Sequence, residues 1–550
     1  MRRLRRVVRS AAILGMGLVL FSGCATKLRL APVPQTRTEP DKRQVRVFDF
    51  NADGKPEYRE VLGENGQVAV HEFDVDGDGT FRDTVNRADL DPGKIKHLFL
   101  LLDGVPFSLI DQMWQDGCFR MFSRPGRMVS LFPALTDPVF DRMFYCGVPR
   151  GYEAEYYDRA KGRKSDGVAT YLSGRNETWA KGVDYRLSTI EDAVMYLFPG
   201  GVFRRELDAA RKVYDRMQHE DTVVLYFLST DGVCHMFPRE KAREQLALLD
   251  RWIEQIVYDA RGRIEVTMWA DHGNNFAGCT FVPIREALTK AGLRVTEELR
   301  KRGDVVAPRF GLISFANVFC YSDAERRRAV AALLPLEGID AIAWREDGGV
   351  KVISRLGTAR IFRKDGDGQG LFRYQPLEGD PLGVVPAMNR MRDQGQLDAE
   401  GYADDAAWFA ATCDLPMPTP VQRVYGSLYR NVVNTADIVI SLADGYFCGD
   451  KTFTRFVHMV GTHGGLSRQS SVSFLMSSAF EAPAYVRPEE ILPLINRYLT
   501  WTPHMPGVDY TWLERYRRET PAPQTQAGGG EPAPGSGAPM PAASGAGKRP

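Results

Sequence analysis

The chain has 550 residues, 44% hydrophobic and 26% charged, which is the composition of a globular protein with ample material for a large core. Its 71 Lys and Arg against 70 Asp and Glu give a formal net charge of +1. This balance gives no sign of a nucleic-acid partner or of an anionic surface as a partner, so we expect no nucleic-acid-specific binding. The length allows roughly two to four domains.

Residues 1–23 are predicted to be a signal peptide. Five arginines precede an apolar run of 11 residues at 11–21, which is shorter than the roughly 20 that a membrane-spanning helix needs. Small residues then precede Cys24, and this pattern resembles the lipobox of bacterial lipoproteins. The resemblance implies lipid attachment at Cys24 and an exported protein held at the cell envelope, facing the periplasm or the cell surface. The alternative is a plain secretory signal with an incidental cysteine.

Residues 24–44 are polar and contain prolines, and we predict a tether there. Residues 45–94 carry a repeat, because Asp49-Phe-Asn51-Ala-Asp53-Gly54 recurs 25 residues later as Asp74-Val-Asp76-Gly-Asp78-Gly79. Oxygen side chains at positions 1, 3 and 5 with Gly at position 6 are typical of loops that bind Ca²⁺. The alternative is a pair of ordinary turns. The candidate calcium ligands are Asp49, Asn51, Asp53, Glu60, Asp74, Asp76 and Asp78.

The segments beside these loops, 45–48 and 68–73, have the apolar alternation of strands. Glu60 falls at position 12 of the first loop, as in an EF-hand, but the strand-like flanks argue against EF-hand helices. The region 45–94 is therefore predicted to be a small β module with calcium loops.

From residue 95 the pattern becomes that of an α/β domain, predicted over 95–518. The apolar runs 98–102, 223–228 and 264–269 predict buried parallel strands. Between the last two runs, an amphipathic helix begins at Pro238 and ends at Gly262, which predicts a parallel strand pair with a right-handed crossover. The fold class expected is α/β, with a mostly parallel sheet flanked by helices.

Other segments of this domain have weaker patterns. Residues 151–215 are polar, and we predict that they form a cap. We predict an insertion of short strands and loops over residues 300–435. Further strands are predicted over 432–442 and 472–476, and a closing helix over 488–499. Residues 519–550 are rich in Pro, Gly, Ala and Ser and are predicted to be disordered.

An aspartate follows each of the three apolar runs: Asp103, Asp231 and Asp271. Because function gathers at the carboxyl ends of parallel strands, these acids should face one crevice. Three histidines accompany them, namely His235, His272 and His463, the last between two glycines that permit close backbone approach. Each segment alone could be an ordinary turn. Together they predict a site for two Zn²⁺ ions, although such ligands also accept other first-row metals.

A candidate nucleophile, Thr136, precedes Pro138 in a predicted strand-to-helix turn. A hydroxyl group beside a metal ion can lose its proton near neutral pH. The alternative is that Thr136 caps the helix, and the two roles are compatible because a cap places backbone amides near an attached phosphoryl group.

With these residues the chain resembles the alkaline phosphatase superfamily, and within it the type I phosphodiesterase/nucleotide pyrophosphatase branch, over roughly residues 95–500. The matching segments are Asp103-Gly104, 132–138, Asp231 with His235, Asp271-His272-Gly273 and Gly461-Thr-His463-Gly464. The resemblance implies that Asp231, His235 and His463 hold one zinc ion. It implies that Asp103, Thr136, Asp271 and His272 hold the other. The implied reaction is hydrolysis of a small phosphodiester in two in-line displacements, through a phosphothreonine intermediate at Thr136.

The chain departs from the branch pattern at Val139, where an Asn three residues after the nucleophile is usual. Arg142, Arg175 and Asn176 are candidate replacements. Phosphomonoesterase or phosphoryl-transferase activity at the same site stays open, as does phosphonate hydrolysis. A different alternative is a calcium-dependent surface-binding lipoprotein on a degenerate enzyme scaffold, but all six predicted Asp and His ligands and Thr136 are present.

Overall fold

The structure is a computed structural model that describes residues 33–91, 95–165, 167, 170, 177–188, 191, 195–309, 311–366, 370–449 and 458–519. The predicted signal peptide, Cys24, Arg175, Asn176 and nearly all of the predicted disordered tail lie outside these residues. Within the described ranges, no helix is both long enough and apolar enough to cross a bilayer.

In the first half of the chain the strands of the described residues are β1 (Gln35–Thr38), β2 (Gln44–Phe48), β3 (Tyr58–Leu62), β4 (Val68–Phe73), β5 (Asp83–Asn86), β6 (Lys96–Leu102), β7 (Gly126–Val129), β8 (Tyr157–Asp158), β9 (Arg163–Lys164), β10 (Thr222–Phe227), β11 (Ile264–Ala270) and β12 (Thr280–Phe281). Those that follow are β13 (Arg294–Val295), β14 (Asp304–Val306), β15 (Leu312–Ile313), β16 (Phe315–Cys320), β17 (Ile339–Glu346), β18 (Gly349–Ser354), β19 (Gly357–Asp365), β20 (Gly370–Gly379), β21 (Ala403–Asp404), β22 (Ile438–Leu442), β23 (Tyr446–Gly449), β24 (Val472–Ser477) and β25 (Tyr485–Val486).

The α-helices bounded within the described residues are α1 (Phe107–Gln115), α2 (Thr136–Met143), α3 (Pro199–Arg216), α4 (Ser229–Met236), α5 (Arg239–Asp259), α6 (Ile284–Lys290), α7 (Asp323–Leu333), α8 (Val385–Asp393), α9 (Asp405–Thr412), α10 (Pro420–Tyr429), α11 (Arg468–Ser471), α12 (Pro488–Tyr498) and α13 (Thr511–Glu519). Short 3₁₀ turns span Arg87–Asp89 and Thr178–Gly182.

The central sheet has six strands in the order β10-β6-β11-β24-β7-β25. All of them run in one direction except β24, which is antiparallel to both β11 and β7. The three predicted apolar runs are β6, β10 and β11, and the predicted mostly parallel α/β sheet is confirmed. The predicted direct pairing of β10 with β11 is wrong, because β6 lies between them and hydrogen-bonds to both.

Helices cover both faces of this sheet, and the residues of β6 show why. Leu98, Leu100 and Leu102 pack into a core shared with α1, α3 and α5. The alternate residues Phe99 and Leu101 pack on the other side with α2 and α12. A strand buried on both faces reads as a continuous apolar run, as β6 does.

The N-terminal module is a five-stranded antiparallel sheet in the order β1-β2-β3-β4-β5. The predicted tether is wrong for residues 35–38, because this stretch pairs with β2 as the exposed edge strand β1. The module packs on the end of α5, where Tyr258 contacts the ring of Phe50, and Arg87 pairs with Glu265 at the start of β11. It therefore lies at the amino end of β11.

A second sheet of nine strands, in the order β13-β14-β16-β22-β17-β18-β19-β20-β21, is built mainly from strands within residues 300–435. The prediction of short strands and loops is wrong here, because β19 and β20 have 9 and 10 residues and pair as a long antiparallel hairpin. The strand predicted over 432–442 begins only at Ile438. Helices α6 and α7 pack on one face of this sheet, and α9 and α10 on the other.

Candidate metal centre and nucleophile

The strand directions bring all seven predicted site residues to one edge of the central sheet. Asp103, Asp231 and Asp271 follow the carboxyl ends of β6, β10 and β11. Because β24 is antiparallel, its amino end lies at this same edge and the preceding loop carries His463 there. Strand β7 ends at this edge too, and the chain continues from it to Thr136 at the start of α2.

One group of ligand atoms comprises Asp103, Asp271 and His272, which lie within 4.8 Å of one another and are buried. His272 Nε2 is 3.4 Å from Asp103 Oδ1 and 3.3 Å from Asp271 Oδ2. The three side chains therefore converge on one point.

The second group comprises Asp231, His272 and His463, also within 4.8 Å and buried. His235 adjoins it, with its Nε2 atom 3.2 Å from Asp231 Oδ1, while His463 Nε2 lies 3.7 Å from the same oxygen. The rings of His272 and His463 stack with centroids 3.7 Å apart, which joins the two groups into one continuous cluster.

These spacings fit metal ions. Two donors that each lie 2.0–2.2 Å from a tetrahedral Zn²⁺ are about 3.4 Å apart, close to the separations measured here. Asp231 Oδ1 and Asp271 Oδ2, two of the oxygens that face the imidazole nitrogens, are buried and accept no hydrogen bond from the described residues. Two buried carboxylate oxygens without donors are costly unless a cation faces them. The donor set therefore suits two transition-metal ions.

The outer ring nitrogens set the tautomers of two histidines. His463 Nδ1 lies 2.9 Å from the carbonyl of Ala134, and His272 Nδ1 lies 3.0 Å from the carbonyl of Gly273. Because a carbonyl only accepts, both Nδ1 atoms carry the proton and both Nε2 atoms present a lone pair inward. Burial holds the pKa of His463 well below its ordinary value and so favours the neutral ring that binds metal.

Burial acts differently on the two carboxyl groups. It raises the pKa of Asp271. For Asp231, burial raises the pKa, but the neighbouring His235 and His463 outweigh that effect and leave the pKa below its ordinary value. Both carboxyl groups must be ionised to bind a metal ion.

Several residues that hold the ligands in place were not predicted from the sequence. Tyr226 donates a hydrogen bond from its hydroxyl to Asp103 Oδ2, and Tyr196 donates one to Asp231 Oδ2 at 2.8 Å. Thr230 Oγ1 donates to the Asp103 carbonyl at 2.7 Å and accepts from its amide at 2.9 Å. A polar residue in or just after an otherwise apolar strand is the one sequence signal that Tyr226 and Thr230 offer.

Two glycines permit this crowding. Gly104 has φ +67°, and a Cβ built there would lie 2.5 Å from Asp231 Oδ1. A Cβ on Gly461 would lie 2.2 Å from Asn274 Oδ1, so the loop that carries His463 could not approach the Asp271 loop with a larger residue.

Thr136 is the first residue of α2 and lies beside the first ligand group. Its Oγ1 atom is 3.4 Å from Asp103 Oδ1 and 3.5 Å from His272 Nε2. Leu135 occupies the N-cap position and α2 has no side-chain cap, so the capping role considered for Thr136 is wrong. The hydroxyl group is directed at the ligand atoms instead.

Val139 is completely buried among Phe99, Phe140 and other apolar side chains. Because the side chain at this position faces the apolar core, Val139 does not line the metal site. Arg142 lies 3.5 Å from Asn431 Oδ1. The other two candidate donors lie outside the described residues.

In the first predicted calcium loop, the position-12 prediction is wrong. Glu60 lies in β3 and is buried, where it pairs with Arg46 at 3.0 Å and accepts from the Tyr58 hydroxyl at 2.9 Å. The carboxylates that come together are those of Asp49, Asp53 and Glu57. Asn51 Oδ1 accepts from the Asp53 amide within this loop.

In the second loop, Asp74, Asp76 and Asp78 come together as predicted. Arg82 forms ion pairs with Asp76 and Asp78, so a guanidinium already supplies positive charge there.

No family model matches the sequence, and no curated protein matches it. Many solved structures resemble the chain, and three of them serve as examples. Phosphonoacetate hydrolase from Sinorhizobium meliloti 1021, in complex with phosphonoformate, is 12% identical with a TM-score of 0.38, over 72% of this chain and 94% of that one. Human ectonucleotide pyrophosphatase/phosphodiesterase 5 is 11% identical with a TM-score of 0.40, over 76% and 98%. Its murine counterpart in complex with AMP is 10% identical with a TM-score of 0.41, over 76% and 99%. At such identities and scores, a functional assignment has to rest on the geometry of the site.

Proposed function

We propose that this protein is a metal-dependent phosphohydrolase that cleaves phosphodiesters through a phosphothreonine intermediate. The observation that carries the proposal is the Thr136 hydroxyl, which lies 3.4–3.5 Å from Asp103 and His272 at the start of a helix. Two zinc ions held by the ligand groups would act as Lewis acids on the entering and leaving oxygens.

In the proposed first step, Thr136 Oγ1 gives its proton to solvent and forms a bond to phosphorus. The bond from phosphorus to the leaving oxygen breaks, and that oxygen departs with the electron pair and takes up a proton from solvent. In the second step a water molecule loses a proton to solvent as its oxygen bonds to phosphorus, the Oγ1–P bond breaks with its electron pair going to Oγ1, and Oγ1 takes up a proton. The start of α2 favours this chemistry, because the positive end of a helix faces the phosphoryl group.

The test compares Thr136→Ala with Thr136→Ser on nitrophenyl mono- and diesters, with metal analysis of each preparation. Thr136→Ala should lose roughly 10⁴-fold in kcat, whereas Thr136→Ser keeps a hydroxyl and should stay active. A wild-type rate in Thr136→Ala, or a purified protein without transition metal, would contradict the proposal. Faster turnover of the monoester would assign a phosphomonoesterase instead.

We also propose that Ca²⁺ binds the first loop of the N-terminal module, through Asp49, Asp53 and Glu57, and stabilises the module. Carboxylates are the ligands that Ca²⁺ prefers, and no arginine pairs with these three in the described residues. The second loop, which Arg82 already neutralises, should bind more weakly.

Finally, we propose that the chain is exported and anchored to the cell envelope by a lipid at Cys24. The support is the basic and apolar N-terminal sequence that ends in small residues before this cysteine. Cys24→Ala should release the protein from membranes, and unchanged membrane retention would argue against the anchor.

A further inference from the structure

Helix α4 carries two predicted ligands of one metal ion, yet it begins without a cap of its own. Its N-cap residue is Leu228, which offers no side-chain acceptor to the first backbone amides. Unsatisfied amides at a buried helix start are costly, so an acceptor from elsewhere is needed.

Glu206 of α3 supplies that acceptor across the helix interface. Its Oε1 atom accepts from the Leu228 amide at 3.1 Å and its Oε2 atom from the Ser229 amide at 3.0 Å. The Ser229 hydroxyl donates to Oε2 as well. Three hydrogen bonds therefore join the Glu206 carboxyl group to the first residues of α4.

Burying Glu206 in this way costs folding free energy. Glu206 is completely buried, and no Lys or Arg of the described residues forms an ion pair with it. A carboxyl group is costly to bury without a cationic partner. What the remote carboxylate adds is a rigid link between α3 and the first residues of α4.

Those first residues determine where the ligands lie. Asp231 is two residues beyond Ser229, and His235 is one turn further on the same face, with Nε2 3.2 Å from Asp231 Oδ1. A shift at the start of α4 would move both ligands together.

The ligands of the other ion have different supports. Asp103 Oδ2 accepts from the Tyr226 hydroxyl, and Asp271 Oδ1 accepts from the amides of Gly104 and His272 at 3.1 and 2.9 Å. None of these contacts involves Glu206.

We propose that Glu206 is a positioning residue for the metal ion bound by Asp231, His235 and His463, and not for the ion bound by Asp103, Asp271 and His272. This inference rests on the two-metal site of the proposed function, but it does not depend on which ester is cleaved.

The test is a calorimetric titration of metal-free full-length protein with Zn²⁺, in which His235→Ala and Asp271→Asn assign each binding step to its ligand group. Glu206→Gln should weaken the step of the Asp231 group by about 10- to 100-fold and leave the other step at its wild-type affinity. Tyr226→Phe is the matched control and should weaken the opposite step.

Equal weakening of both steps in Glu206→Gln, or weakening of neither, would overturn the inference. If Glu206→Gln does not fold, Ser229→Ala removes only the hydroxyl bond to Glu206 and must weaken the same step, and an unchanged titration would then overturn it. A wild-type protein that binds two Zn²⁺ ions but cleaves no phosphoester would contradict the proposed function alone.

Discussion

At the residue scale, Gly104 allows the two ligand groups to lie close together, because it has no side chain. It follows the ligand Asp103, and the space its Cβ would need is filled by Asp231. We predict that Gly104→Ala displaces Asp231 Oδ1, now 2.5 Å from the added methyl, and weakens metal binding by at least about tenfold. Zn²⁺ titration of the variant measures the loss.

The matched control is Gly383→Ala. Gly383 has φ +68°, nearly the same as the +67° of Gly104, but no atom lies within 4 Å of the Cβ position. Both variants carry the backbone strain of a left-handed alanine, about 1–2 kcal/mol, and only Gly104→Ala adds the clash. Equal metal affinity in the two variants would contradict the role given to Gly104.

Asp141, on the nucleophile helix α2, makes stability depend on pH. Burial raises its pKa to about 7, although the hydrogen bond that it accepts from Cys146 lowers the pKa in part. From pH 5 to 7 the folded protein still holds a proton that the unfolded chain has already lost, so stability falls as pH rises toward 7 and levels off by pH 8. We predict that Asp141→Asn gains about 2–3 kcal/mol relative to wild type over this range in urea unfolding. Asp393→Asn, at an exposed site, should gain nothing, and equal behaviour of the two variants would refute the prediction.

The sequence could predict the metal ligands because each carboxylate follows an apolar strand, and the carboxyl ends of parallel strands lie at one edge of the sheet. It could not predict Glu206 or Tyr196, because neither adjoins a ligand in the chain and only the packing of α3 and the preceding segment brings them close. It misassigned Glu60, because loop spacing does not show that Arg46 offers this carboxylate a buried partner.

At the element scale, the direction of β24 decides whether the site assembles. A parallel β24 would place its amino end, and the His463 loop before it, at the far edge of the sheet. The sequence predicts the strand but not its direction, because both faces are buried and the apolar run looks the same either way. The long strands of the nine-stranded sheet were not predicted, because β19 and β20 carry many charged, half-exposed residues and so lack an apolar run.

Strand β2 and helix α5 are joined by a buried charge cluster. Arg46 pairs with Glu60 at 3.0 Å and also with Glu254, and all three side chains are almost fully buried. We predict that Arg46→Met destabilises the protein by about 3–5 kcal/mol, because the buried Glu60 loses its cation and Glu254 keeps only Arg251. Arg43→Met removes an exposed pair with Asp41 and a longer pair with Glu72, which keeps Arg59, and should cost at most about 1 kcal/mol. Similar losses for both variants in denaturant unfolding would show that the cluster is not a structural joint.

At the scale of the whole molecule, the N-terminal module and the metal centre lie at opposite ends of α5 and of the central sheet. The helix has 21 residues, which makes it about 30 Å long. It begins at Arg239, four residues after His235, and its last turn contacts the module through Tyr258. A cation in the module is therefore too far away to touch a substrate at the carboxyl edge of the sheet.

This separation predicts that stability and turnover can be altered independently. Added Ca²⁺ should stabilise the wild-type protein by about 2.7 kcal/mol at 100 times its Kd, and Glu57→Gln should remove that gain while kcat/KM stays at the wild-type value. His463→Ala should do the reverse, because it removes a ligand of the metal centre and leaves the module intact. Thermal unfolding with and without Ca²⁺, with ester turnover measured on the same samples, distinguishes the two. If kcat/KM falls in Glu57→Gln along with the Ca²⁺-dependent stability, then α5 couples Ca²⁺ binding in the module to the metal centre.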